Sequence, residues 1–346
     1  MYVTARLRLS LLSAALIALC AAGCSMHSAA PLPAQQLGTT SHNVRVNTVG
    51  SLYVAASGSH VYAFAPGQTM PKLVITNGIN KPTYLIFDTS NNLYVANAGP
   101  GSTGSVTEYT NGQGSPTRTI TAGVNAPAFG SLAVSPDGTL IVASQAGISE
   151  YHPGATRPFF NKKTPSTYVV AAPTNTIDVT TSTNLTSNFP LGKWKPNFSF
   201  NAGVAGALGI DTAGTLYIVD ASGPGAPVRE FDPTGKFIRL LGNGIDIPVS
   251  VFVDSSNNAW VNNFGEITAS ISGFHQNATS PFISITQGIN SVNALTVDSA
   301  GTLYIANGGG GKLIREYASG STTPTLSFPL RQSQVGASLV IAPPGI

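Results

Sequence analysis

Cysteine is the scarcest informative residue in this 346-residue chain: the only two are Cys20 and Cys24, and none follows. A fold built from the remaining residues has no disulfide, no thiolate metal site and no cysteine nucleophile. Charge is almost as thin, with Asp, Glu, Lys and Arg making up 9% of the residues. Setting aside Arg6 and Arg8, which open an N-terminal leader, Lys and Arg fall from 17 to 15 against 14 Asp and Glu, a balance of +1. No basic stripe interleaved with aromatics runs through the sequence, so binding to nucleic-acid phosphates is not expected. The densest basic group, Lys162, Lys163, Lys193 and Lys195 around Trp194, reads as a solvated loop.

Histidine is equally sparse. Of five, His27 and His42 precede the folded region, and His60, His152 and His275 have no close sequence partner. His-Glu-x-x-His and Gly-x-Ser-x-Gly are both absent. Gly308–Gly311 followed by Lys312 lacks the Lys-Ser/Thr ending and the helix of a phosphate loop, and reads as a turn. Metal-assisted chemistry gathers several carboxylates or imidazoles in one place. No catalytic residue, metal or cofactor is therefore assigned from the sequence.

What the chain has in quantity is turn formers (37 Gly, 24 Pro) and short apolar runs, with hydrophobic residues at 42%. One unit recurs: Leu85-Ile-Phe-Asp-Thr-Ser-Asn-Asn-Leu93, Leu208-Gly-Ile-Asp-Thr-Ala-Gly-Thr-Leu216 and Leu295-Thr-Val-Asp-Ser-Ala-Gly-Thr-Leu303. Leu132 to Leu140 and Val251 to Ala259 repeat the same eight-residue step. Alternating Val, Ile, Leu and Tyr on both sides of an Asp-Gly or Asn-Asn turn signals a hairpin. A third strand ending in an aromatic follows, as in Val106-Thr-Glu-Tyr109 and Ile314-Arg-Glu-Tyr317, and then a fourth, as in Pro281–Thr286. Four short antiparallel strands per unit of about 40 residues predict an all-β fold, a β-propeller.

The second-strand anchors Leu52, Leu93, Leu140, Leu216, Ala259 and Leu303 are spaced by 41, 47, 76, 43 and 44 residues. The 76-residue gap accommodates a degenerate blade at Val169–Ile177, which splits it into 37 and 39 and gives seven blades, against six if the gap holds none. The C-terminal Ser338–Gly345 looks like a first strand with no second strand after it, so it is expected to complete the N-terminal blade and close the ring. Val44–Thr48 competes for that place but is less apolar.

At the other end, Arg6 and Arg8, the apolar run Leu9–Leu19 and Ala21-Ala-Gly-Cys24 have the form of an export signal. The run is too short for an ordinary transmembrane helix. It resembles the bacterial lipoprotein lipobox, with Ala21 where leucine is usual. That resemblance implies a signal over residues 1–23, lipid on Cys24 as the mature N-terminus, and a location in the cell envelope. Ser25 at the second mature position implies the outer membrane or cell surface. A plain secretory signal cut near Ala22 shares the same grammar. Residues 24–42, rich in Ala, Pro, Gln, Ser and Thr, read as a flexible tether, and 43–346 as the propeller.

The recurring Asp-x-x-Gly/Asn-x-Leu-Tyr-Val-Ala-Asn core resembles the NHL-repeat propellers and their sugar-lactonase and streptogramin-lyase-like relatives. The resemblance covers nearly everything after residue 43. It implies the architecture and leaves activity open, because members of that group include binding scaffolds, lyases and metal-dependent hydrolases.

Asp88, Asp211, Asp254 and Asp298 each begin a turn, where a carboxylate accepts bonds from amides two residues on. Glu108, Glu150, Glu230 and Glu316 repeat one residue before the third-strand aromatic, in reach of Arg229, Arg315 or a neighbouring blade. Copies of one residue in every repeat serve the repeat. Four residues past each second-strand anchor stand Asn97, Ser144, Thr181, Asp220, Asn263 and Asn307, with Ala56 the exception. Clustered at one mouth of the channel, they either bind a neutral polar ligand or cap the next turn. Glu266, as a site acid, and His275 are outlying candidates in a rival hydrolase or lyase reading that would use a divalent ion. The expected partners are a membrane, through the lipid, and a protein or glycan ligand. A ring that seals its own edges needs no partner subunit, so a monomer is expected.

Overall fold

The structure, a computed structural model, describes residues 50–344 except 102, 128–130, 165, 182–184, 202–204, 266–267, 309–311 and 331–335. The leader, Cys24, the tether and Val44–Thr48 lie outside the described residues, as does Glu266. Seven sheets, each of four antiparallel strands, form a seven-bladed β-propeller. Blade 2 shows the pattern: Pro82–Phe87, Leu93–Asn97, Ser105–Tyr109 and Arg118–Ile120, in order outward from the axis. The degenerate blade exists as Ser166–Ala171, Thr176–Thr181, Leu185–Pro190 and Phe198–Asn201. Blade 1 takes its innermost strand from the far end of the chain. Gly336–Ile341 pairs with Leu52–Ala56, in register from Leu52 opposite Ile341 to Ala56 opposite Gly336.

The core lies between blades rather than within them. Tyr94, Ala96, Val106 and Ile120 of blade 2 pack on Leu132, Leu140, Val142 and Tyr151 of blade 3. Leu52, Val54 and Phe64 of blade 1 meet Tyr304, Ile314 and Phe328 of blade 7 in the same way. Each fully buried Leu or Ile contributes about 2 kcal/mol only when the neighbouring blade covers it. A single blade is thus unstable alone, and the ring is the folding unit.

The eight-residue step is a turn with a fixed third position. Asn91, Asn175 and Asn257 have φ of 69°, 56° and 62°, and Gly138, Gly214 and Gly301 of 82°, 85° and 80°. Gly and Asn tolerate this left-handed backbone, which explains why the repeat accepts only these two there. The aspartate that begins the turn then locks it: Asp254 Oδ1 accepts from the Ser256 and Asn258 amides at 2.9 Å each, and Asp88, Asp211 and Asp298 do likewise.

Strand order gives the ring two unlike faces. First-to-second and third-to-fourth turns lie on one, here the hairpin face; second-to-third loops and the crossovers between blades lie on the other, the crossover face. The described chain begins on the hairpin face, where Ser51 accepts from the Ala342 amide at 2.9 Å.

Candidate functional site

The polar strand-end ring sits on the crossover face, as the spacing predicts, and its polar groups turn inward. Asn97 is fully buried. Its Oδ1 accepts from the Asn80 amide at 2.9 Å, and its Nδ2 donates to Gly78 O at 3.3 Å and Thr107 Oγ1 at 3.2 Å. Asn307 repeats this with the Asn290 amide at 3.0 Å and Gly288 O at 2.9 Å. Asn263 grips the Asp246 amide and Gly244 O, both at 3.4 Å. Each asparagine thus holds the backbone 17 and 19 residues before it, the crossover that delivers its own blade's first strand. Third-strand tyrosines clamp the same crossovers, Tyr109 donating to Asn77 O at 2.6 Å and Tyr317 to Gln287 O at 2.9 Å.

The other members act locally. Ser144 accepts from the Ala146 amide at 3.2 Å, and Thr181 donates to Leu185 O at 3.3 Å. Asp220 accepts from the Ser222 amide at 3.0 Å and pairs with Arg229, fixing the loop Ser222–Pro227. The ring is therefore a set of clamps and caps beneath the loops.

What the face presents outward comes from a feature the sequence pattern hides. In six blades the pairing of first and second strands slips by one residue near the crossover. Such a bulge turns one side chain out of the ladder. Thr83, Val249, Asn293 and Ala337 occupy it in blades 2, 6, 7 and 1, and Val249 and Asn293 are exposed. Phe264, in the loop after Asn263, adds a second exposed apolar group in blade 6. The exposed bulge and loop groups are thus apolar or amide, the Thr83 hydroxyl donates inward to Pro127 O at 3.0 Å, and Lys81, Lys163 and Lys312 stand exposed in crossovers and loops of the same face.

The histidines do not converge. His60 begins the third strand of blade 1 on the crossover face and stacks on Tyr62. His152 and His275 follow the third strands of blades 3 and 6 on the hairpin face, stacked on Phe159 and Phe282 at 4.0 and 4.1 Å. His275 Nδ1 also bonds Asn258 Oδ1 at 3.0 Å. Among the described residues no group of three His, Cys, Asp or Glu is placed to hold a metal ion.

The repeated glutamates face slots between blades; Glu108 and Glu230 pair with fourth-strand arginines rather than Arg229 or Arg315, and Glu150 reaches a neighbouring blade. Glu108 pairs with Arg118, which reaches Ala155 O in blade 3. Glu230 pairs with Arg239 at 2.7 Å, and Arg239 reaches Asn277 in blade 6. Glu150 has no arginine and accepts directly from the Gly192 amide of blade 4 at 2.6 Å. Its other oxygen is buried without a partner, and burial pushes its carboxyl up to about 7. Two small clefts, each with room for about one water, lie between blades 4 and 5 and between blades 7 and 1. In the first, Asp178 and Asn188 stand where blades 2 and 5 carry Tyr and Glu; burial raises Asp178 to about 6, and Asn188 Nδ2 donates to it at 3.1 Å. Glu316 lines the second, its carboxyl also raised by burial.

No family model and no curated protein matches the chain. Among solved structures it is similar to the dihydro-heme d1 dehydrogenase NirN in complex with DHE, with a TM-score of 0.59 and 13% identity over 88% of this chain and 77% of that one. At that identity the likeness is one of fold.

Proposed function

We propose that this chain is an NHL-like propeller lipoprotein of the bacterial cell envelope, anchored through lipid on Cys24, whose crossover face binds a protein or glycan without chemistry of its own. The observation that carries the reading is the division of the ring into two faces. The described chain enters the ring at Ser51 on the hairpin face, so the crossover face carries neither end of the described chain. On the crossover face Asn293, Val249 and Phe264 are exposed above the strand-end ring from Asn97 to Asn307, beside the exposed lysines Lys81, Lys163 and Lys312. Neutral polar and aromatic groups suit sugar hydroxyls and peptide amides. The shifted carboxyls of Glu150, Asp178 and Glu316 lie in slots between blades, which supports a structural use for them.

The anchoring half is tested by fractionating cells that make the wild type or Cys24→Ser, with mass spectrometry of the mature N-terminus. Acylated Cys24 in the membrane fraction and a released variant are expected; an unmodified terminus in the soluble fraction overturns it. The binding half is tested on a glycan panel with Asn293→Ala and Val249→Arg as controls. Turnover of a lactone or glycan by the purified protein would replace it with the hydrolase reading.

A further inference from the structure

Blade 4 departs from the ring in one more respect. In six blades the third-to-fourth turn has one frame: an aromatic, a left-handed residue three on (Gly67, Gly112, Gly154, Gly192, Asn277 or Gly320), and proline seven on. Five on, these turns carry Thr69, Gly114, Thr156, Thr279 and Thr322, but in blade 4 Trp194. The turn closes with threonine or glycine there, so folding does not require an indole. Yet Trp194 is 61% exposed, between exposed Lys193 and Lys195.

Its surroundings are organised. Phe160 of blade 3 lies 4.8 Å from the Trp194 ring, and Lys162 Nζ donates to Trp194 O at 3.2 Å while sitting 3.5 Å above Phe189. Arg157, in the adjoining turn of blade 3, is exposed beside Phe159. From residue 151 to 210 the chain carries Arg157, Lys162, Lys193 and Lys195 at or near this turn, and Lys163 in the crossover beyond Phe160–Lys162, against a single acid, Asp178, which is buried. Among blades 2 to 7, only the first-to-second turn of blade 4, residues 172–175, has no acid.

We propose that this rim of blades 3 and 4, centred on Trp194, docks onto an anionic lipid headgroup surface. Two observations choose a membrane over another anion. An exposed tryptophan flanked by lysines combines the side chain that settles at the headgroup level with charges that attract anionic lipid. The patch also lies on the hairpin face, where the described chain begins at Ser51, so it deepens the anchored reading given above. Lipid on Cys24 and this rim together supply the two signals that hold a protein at a membrane.

The test removes the lipid altogether. Residues 25–346 contain every strand of the closed ring, including the Leu52–Ile341 seam, and lack Cys24. This protein is mixed with vesicles of 30% phosphatidylglycerol in phosphatidylcholine, or of phosphatidylcholine alone, and followed by co-sedimentation and tryptophan emission. Trp260 is buried, so a blue shift reports Trp194. Binding to the anionic vesicles with a blue shift is expected, weakening as salt is raised. Lys193→Glu with Lys195→Glu lowers the affinity about tenfold or more, and Trp194→Ser abolishes the shift, while far-UV circular dichroism and melting stay unchanged. Equal binding to both vesicles, no binding, or binding that Trp194→Ser leaves intact overturns the proposal. So does binding to a soluble acidic polysaccharide such as polygalacturonate in place of vesicles. Because the protein tested has no lipid site, a negative result leaves acylation of Cys24 standing, and an unacylated Cys24 leaves a positive one standing.

Discussion

Asp254 holds four hydrogen bonds at once: two backbone amides, Asn258 Nδ2 at 3.0 Å and Trp260 Nε1 at 2.8 Å. Replacing it with alanine strands the buried indole donor and opens the turn. Asp254→Ala should lower the unfolding free energy by about 2–3 kcal/mol in urea denaturation, and Asp254→Asn, which keeps an acceptor oxygen, by less. Glu150 makes the opposite contribution at neutral pH. Its folded value, about 7, lies above that of an unfolded glutamate, so the native state binds the extra proton. Its stabilisation is complete in acid below the unfolded value and is lost as pH rises through about 7; Asp178, held near 6, adds the same sign over a lower window. Melting temperature should therefore fall from pH 5 to pH 8, and Glu150→Gln should flatten that slope; an unchanged slope would place the titration elsewhere. The position of Asn97 was legible from a count of four beyond Leu93, but its role was not. Its partners are backbone groups of a crossover 17 and 19 residues back, and a one-dimensional pattern cannot tell an amide facing that crossover from one facing solvent. The bulge at Val249 was hidden for a related reason, since a one-residue slip exists only across two strands.

Blades are equivalent in hydrogen-bond pattern and unequal in how they meet their neighbours. Blades 2 and 5 reach the next blade through Arg118 and Arg239, whereas blade 4 leaves a cleft beside blade 5. The outer strand of blade 4, Phe198–Asn201, should exchange its amide hydrogens faster than Arg118–Ile120 or Phe237–Leu241, as read by mass spectrometry. Equal protection would mean that these ion pairs do not hold the outer strands. Blade 4 was still found from the sequence, because the step from Val169 to Ile177 survives even though Ala172 replaces the turn aspartate. The closing strand was legible too: an apolar run without a following partner had one unfilled place in the ring. Deleting residues 336–346 uncovers Leu52, Val54 and Leu85 and should remove the cooperative melt, leaving protein that aggregates on size-exclusion chromatography.

Across the whole molecule, cores shared between neighbours tie all seven blades into one transition. Near- and far-UV circular dichroism should give coincident unfolding curves; separate midpoints would show that blades come apart in groups. The seam between Leu52 and Ile341 adds a matter of timing. Joining segments so far apart costs little more at equilibrium than joining closer ones, because the entropy grows only with the logarithm of the intervening length, but it slows the search. The first blade to emerge during synthesis is accordingly the last to be finished. Every nascent copy stays unsealed until its final strand arrives.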